Sequence, residues 1–242
     1  MKKLILSFFY IICLYLALDV KSLGIDNMNC QSNNKISDNL QKQQNIIGDY
    51  NYTINSYSLT HIQGMVLIGI LEKFRPNNIC EFGAGESTKI FETYCAKYNK
   101  NLLNIEHDNK YKRKDSKLFE LKENTSVVIN NITYEKTNKY EGLEEFFKNY
   151  ESKFDLVFID GPFGFNKEYN YTRIQMIDLL EFDLLENQGY FLIHDSERES
   201  AINSINILLK LFKDKGYTLV IEYMLTQNER KKLTIIEFNK TN

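Results

Sequence analysis

With 242 residues, 43% of them hydrophobic and 26% charged, the chain can bury one good core, so a single domain with extra segments is expected. A net charge of -2 with no dominant basic stripe speaks against a nucleic-acid partner. Cys13, Cys30, Cys80 and Cys95 lack CxxC or metal-site spacing, which argues against a disulfide framework and a thiolate metal centre.

The first 22 residues open with Lys2 and Lys3, followed by the uncharged, largely apolar run Leu4–Leu18. That is a positive n-region with an h-region of signal-peptide length, short for a spanning helix of about 20 residues. No small-x-small cleavage site follows, and Ile12 is too large for a lipoprotein box at Cys13. An uncleaved signal-anchor is preferred over a cleaved signal, and a buried N-terminal helix is the bland alternative. In both membrane readings the lysine end stays cytoplasmic, and the domain, membrane-anchored or secreted, faces the other side. Residues 23–56 are polar and aperiodic and read as a stem. Sequons at Asn51, Asn124, Asn131, Asn170 and Asn239 allow a glycosylated lumenal domain without establishing one, because the chain is rich in Asn.

Residues 57–242 are expected to form the folded domain. Leu59–Phe74 has apolar residues at helical spacing and predicts a leading helix. Strand and helix signals then alternate. Strand Asn78–Phe82 precedes helix Glu86–Tyr98, and strand Leu102–Glu106 precedes helix Tyr111–Leu121. A weaker strand within Ser126–Tyr134 precedes helix Gly142–Tyr150. Strand Asp155–Asp160 leads to helix Thr172–Leu185, and strand Tyr190–His194 to helix Glu199–Lys215. This alternation implies parallel βαβ units. Thr218–Met224 and Leu233–Phe238 are separated by too short a segment for a crossover, so they form a hairpin that adds one antiparallel strand. The expected fold is an α/β Rossmann-like three-layer sandwich with a seven-stranded, mostly parallel sheet.

Each strand run ends abruptly in a polar group. In an open parallel sheet ligands bind beyond the carboxyl ends of the strands. Glu81, Glu106, Asp160 and Asp195 therefore converge on one edge. In Glu81-Phe82-Gly83-Ala84-Gly85, the two glycines let the backbone approach a ligand and turn into a helix whose N-terminus, with Ser87, welcomes an anionic group. A purely structural turn is an equal reading of that motif alone. Thr88 stands where a dinucleotide fingerprint needs a third glycine or alanine, and Glu81 suits a cationic amino group better than a pyrophosphate. Glu106 lies about 20 residues past the glycine turn, the spacing of a ribose-binding carboxylate. His107 and Asp108 read as caps of the next helix. Asp160 is held at the rim by the turn-forming Gly161-Pro162, and His194-Asp195 ends the next apolar run as a candidate base pair. Arg198 and Glu199 either orient these groups or lie on the surface.

The order of these elements resembles the class I S-adenosylmethionine-dependent methyltransferases over roughly Leu59–Phe238. Within Leu102–Ser200, IEHD, VFIDGPFGF, Arg173 with Met176, and FLIHDSERES resemble the glucuronoxylan 4-O-methyltransferase family, anchored enzymes that methylate a sugar hydroxyl. The resemblance implies S-adenosyl-L-methionine as cofactor, bound by Glu81, Gly83, Gly85, Ser87, Glu106 and Asp160, and a glycan or small-molecule acceptor. It places Asp160, His194, Asp195 and Arg198 on the acceptor side. The catalytic set is Asp160, His194 and Asp195: His194 as base, Asp160 orienting the hydroxyl and Asp195 fixing the imidazole. A divalent cation on the two aspartates ranks second, since Ser196 stands where metal-dependent O-methyltransferases carry an amide. A binding module without turnover is the competing class, and polyamine-synthase-like aminopropyl transfer lacks a second acidic cluster.

Overall fold

The computed structural model describes residues 50, 59–162, 169–225 and 232–241. The leader lies outside the described residues, as does all of the stem except Tyr50, whose buried phenol donates to Glu72 Oε1 at 2.7 Å. Among the described residues no helix is long and apolar enough to cross a membrane.

Helix α1 (His61–Phe74) starts where Thr60 and Gln63 cap each other reciprocally, Gln63 N donating to Thr60 Oγ1 at 3.2 Å and Thr60 N to Gln63 Oε1 at 3.0 Å. Strand β1 (Asn78–Phe82) leads to α2 (Glu86–Tyr98), then β2 (Asn101–Glu106) and a two-residue β3 (Lys117–Leu118). A hairpin of β4 (Leu121–Ile129) and β5 (Ile132–Tyr140) follows, then α3 (Leu143–Lys148) and β6 (Phe154–Ile159). A 3-10 turn at Ile174–Ile177 runs into α4 (Asp178–Glu181), ahead of β7 (Leu185–Ile193), α5 (Glu199–Asp214), β8 (Tyr217–Leu225) and β9 (Lys232–Lys240).

The main sheet has the order β3-β2-β1-β6-β7-β9-β8. Pairs from β3 to β7 are parallel, and β9 is antiparallel to both β7 and β8. Six strands therefore share one direction and the last is reversed between two of them, as the short final connection requires. Strand residues alternate between the two faces. Cys80, Phe82, Val157, Ile159, Phe191 and Ile193 pack with α3, α4 and α5, whereas Ile79, Leu156, Phe158 and Leu192 pack with α1 and α2. The expected three layers result, with both faces of the sheet buried.

Three expected elements differ. Tyr111–Leu121 is not a helix: Asp108 closes a turn, accepting from Tyr111 N and Lys112 N through its carbonyl and from Lys110 N through Oδ1. The basic run there has no apolar stripe to bury, so local capping decides. The third parallel strand is Lys117–Leu118, and the Ser126–Tyr134 signal belongs instead to the separate β4–β5 sheet. Asn130 and Asn131, both at positive φ (49° and 63°), form its two-residue turn between β-branched runs. That Asn-Asn pair was a readable hairpin signal. Finally, Thr172–Leu185 holds only the 3-10 turn and α4. Asp183 sits at φ 54° directly after the helix end, and Leu185 already pairs with Phe154 in the sheet.

Candidate active site

The carboxyl ends of β1, β2, β6 and β7 meet at one edge. Gly83, at φ 88°, donates its N–H to Ile105 O, while Asp160 N and Gly161 N both donate to Phe82 O at 2.8 Å. A Cβ on Gly83 would lie 2.7 Å from Gly161 N, and one on Gly161 would lie 2.9 Å from Gly83 Cα. Gly83 thus serves the close approach of two strand ends to each other. Gly85 differs: a Cβ there would meet nothing within 4 Å, so the start of α2 faces open space. That space, beside free N–H groups of the first helical turn, suits an anionic group such as a carboxylate.

Glu81 is fully buried, its Oε1 accepting from Ser87 Oγ at 2.7 Å and Oε2 from Asn104 Nδ2 at 2.9 Å. Ser116 Oγ donates in turn to Asn104 Oδ1. Burial pushes the Glu81 carboxyl up to about 8; the Ser87, Thr88 and Asn104 hydrogen bonds oppose this and nearby Asp160 adds to it. Glu81 and Ser87, two of the residues expected to contact the cofactor, are members of an internal network at the first turn of α2. Sequence reasoning missed Asn104 and Ser116. The signal for Asn104 is a polar residue at an inward strand position; Ser116, in the turn before β3, carries none.

Glu106 behaves in the opposite way. Burial favours its neutral form, but His107 and the N–H groups of Asp108, Ala84 and His107 outweigh that and hold the carboxyl below its ordinary value. Ala84 N donates to Oε2 at 2.6 Å, and His107 N and Asp108 N donate to Oε1 at 2.6 and 2.8 Å. His107 and Asp108 thus hold Glu106 instead of capping a helix. Oε2 carries one donor and keeps room for a hydroxyl.

At β6 and β7, Asp160 Oδ1 lies 2.7 Å from His194 Nδ1. A carboxylate can only accept, so Nδ1 carries a proton, and in the neutral imidazole Nε2 presents its lone pair. Asp195 Oδ1 is 3.6 Å from Nε2, beyond hydrogen-bond distance. The imidazole is therefore held by Asp160 rather than, as expected, by Asp195. Asp195 Oδ2 is taken by Arg198 Nη2, and Asp195 itself sits at φ 49°. Arg173, buried beneath the site, donates to His194 O through Nη1 and to Asp160 O through Nη2 at 3.1 Å, tying the two strand ends together. Burial disfavours the Asp160 carboxylate, but His194, Arg173 and Arg198 outweigh it and hold the carboxyl below its ordinary value.

His194 Nε2 and Asp195 Oδ1 are buried and have no hydrogen-bond partner among the described residues. With the imidazole neutral, two acceptors face each other and call for donors or a cation between them. Asp160, His194 and Asp195 also have ligand atoms within 4.8 Å of one another, a spacing open to a metal ion. Within this trio Asp160, with a side chain 25% exposed, is the member nearest solvent; the side chains of Asp195 and His194 are 11% and 1% exposed.

No model of a known protein family and no curated protein sequence matches this chain. Solved structures do. The SAH-bound methyltransferase PaMTH1 of Podospora anserina matches with a TM-score of 0.50 at 13% identity, over 90% of this chain and 99% of that one. An O-methyltransferase of Bacillus cereus, in complex with SAH, matches with a TM-score of 0.50 at 12% identity, over 83% and 90% of the two chains. The O-methyltransferase TomG of Streptomyces achromogenes, involved in tomaymycin synthesis and solved with SAM, matches with a TM-score of 0.51 at 10% identity, over 92% and 96%. The chain has the Rossmann-like fold of these methyltransferases, with the reversed final strand included.

Proposed function

We propose that this chain is an S-adenosylmethionine-dependent O-methyltransferase that acts on a sugar hydroxyl of a glycan. The observation that carries the reading is the orphaned pair of acceptors, His194 Nε2 and Asp195 Oδ1, 3.6 Å apart. Two acceptors side by side are matched by two donors side by side, which a vicinal diol supplies. The cofactor half of the reading rests on Glu106, the open space at Gly85, and a fold shared with proteins solved with SAH or SAM. An extracytoplasmic, membrane-anchored or secreted domain is part of this proposal and rests on the N-terminal apolar run alone.

When bound, the cofactor supplies an electrophilic methyl group on a sulfonium. The chain's part is to orient one hydroxyl in line with that methyl and take its proton. His194 Nε2 accepts the proton as the C–O bond forms and the C–S bond breaks. Asp160, on Nδ1, stabilises the imidazolium, and Asp195 Oδ1 accepts from the neighbouring hydroxyl of the diol. Arg173 holds the ends of β6 and β7 in register for this.

A second reading is favoured by the three ligand atoms within 4.8 Å: a divalent cation between Asp160, His194 and Asp195 that acidifies the hydroxyl. The deciding experiment gives the full chain labelled S-adenosylmethionine with oligosaccharides, catechols and carboxylates, with and without EDTA. Label on a glycan hydroxyl that survives EDTA supports the base reading. Labelling abolished by EDTA and restored by magnesium or manganese replaces it with the metal reading. Labelled catechol alone rejects the sugar, and no binding of S-adenosylhomocysteine, or preference for NAD, rejects the enzyme class.

A further inference from the structure

Tyr140, the last residue of β5, lies at the same sheet edge and has no part in the chemistry described above. Its backbone is gripped on both sides by the Gln175 amide, Oε1 accepting from Tyr140 N and Nε2 donating to Tyr140 O at 3.4 Å. Its ring is enclosed by Phe82, His107 and Phe119, with centroids 6.3, 5.9 and 6.5 Å away. These neighbours come from the ends of β1, β2 and β3, so the phenol is aimed by the sheet itself. Its hydroxyl lies 3.1 Å from where a Cβ of Gly161 would stand, at the junction of the β1 and β6 loops.

The residue is 1% exposed, yet its hydroxyl has no partner among the described residues. In surroundings supplied largely by Phe side chains, a Phe would pack as well without burying an unpaired polar atom. Burial, reinforced by the charge of Glu106, pushes the phenol well above its ordinary value, so it is a neutral donor at any physiological pH. A buried, rigidly held, unpaired donor beside the Glu106 carboxylate is a built feature in search of an acceptor.

We propose that the Tyr140 hydroxyl is a cofactor-positioning group that hydrogen-bonds the nucleoside half of the bound cofactor. The inference rests on the cofactor reading above and adds a residue that neither the glycine turn nor the strand-end acids disclosed. Phe82, His107 and Phe119 keep the ring in place whether or not the hydroxyl is present, so Tyr140→Phe removes one donor and nothing else.

The test titrates full-chain protein and Y140F calorimetrically with S-adenosylhomocysteine and with adenosine, and records unliganded melting temperatures. Y140F should bind both ligands about three- to tenfold more weakly, the worth of one neutral hydrogen bond. Its unliganded melting temperature should equal or exceed the parent's, because the removed hydroxyl had no protein partner. If the parent binds S-adenosylhomocysteine and Y140F binds it equally well, this inference falls and the cofactor reading stands. A parent that binds no S-adenosylhomocysteine overturns both. Unchanged adenosine affinity overturns the assignment to the nucleoside half, and a lowered melting temperature without ligand shows a structural role and overturns the proposal.

Discussion

The two halves of the sheet edge handle buried carboxylates in opposite ways. On the β1–β2 side, every oxygen of Glu81 and Glu106 has a protein donor, from Ser87, Asn104, Ala84, His107 and Asp108. On the β6–β7 side, Asp160 and Arg173 are paired, but His194 Nε2 and Asp195 Oδ1 stand without donors. The first half is a finished cradle whose shape does not wait for a ligand. The second is left incomplete at two atoms, the pair on which the proposed function rests.

The largest effect is expected where the second half is held together. Arg173→Ala strips the buried carbonyls of His194 and Asp160 of their shared donor and should cost about 3 kcal/mol or more in urea unfolding. A loss below about 1 kcal/mol would mean that the clamp does not join the strand ends. Next, His194→Ala should lower turnover by about a hundredfold or more while S-adenosylhomocysteine affinity stays within about twofold. A parallel fall in affinity would erase the division between the halves.

The glycine pair sharpens the comparison within the first half. Gly83→Ala forces a side chain at φ 88° into Gly161 N and should lower stability by about 2 kcal/mol in thermal or urea unfolding. Gly85→Ala has space for its methyl within the protein and should keep its melting temperature yet weaken S-adenosylhomocysteine binding if the cofactor occupies that space as proposed. Equal effects of the two variants on stability would show that the open space has no role of its own.

The smallest effect is a pH dependence. Glu81 titrates at about 8 when folded against an ordinary 4.5, and buried Asp178 is raised from 3.8 to about 7, burial being the first cause in each. For such groups the folded state binds the extra proton, so their stabilisation is complete below the ordinary value and is lost as pH rises through the folded one. Melting temperature should therefore decline from about pH 5 to pH 8, and Glu81→Gln should flatten part of that decline. Glu106, held below its ordinary value, acts with the other sign and weakens the fold only on the acid side. A Glu81→Gln profile parallel to the parent's would remove Glu81 as the cause.

By itself the sequence determined six of the seven strands of the main sheet, their directions and the edge at which their polar ends meet; the short β3 was not legible. Apolar runs of strand length alternating with helical spacing permit little else, and the short link before Leu233 dictates a reversed last strand. It also delivered Glu106, Asp160, His194 and Asp195 to one edge, since each ends such a run. Tertiary structure alone decided which atoms meet there. That Asp160 and not Asp195 holds the imidazole depends on the angle between two strand ends and the left-handed backbone of Asp195. That Gly83 faces Gly161 while Gly85 faces open space depends on how closely β1 and β6 approach. The absent helix at Tyr111 and the β4–β5 hairpin were settled by local capping and by the Asn130-Asn131 turn, which outweigh periodicity in a segment with no face to bury. The unpaired hydroxyl of Tyr140 could not be read from the chain at all, because a missing partner is a property of the packed interior.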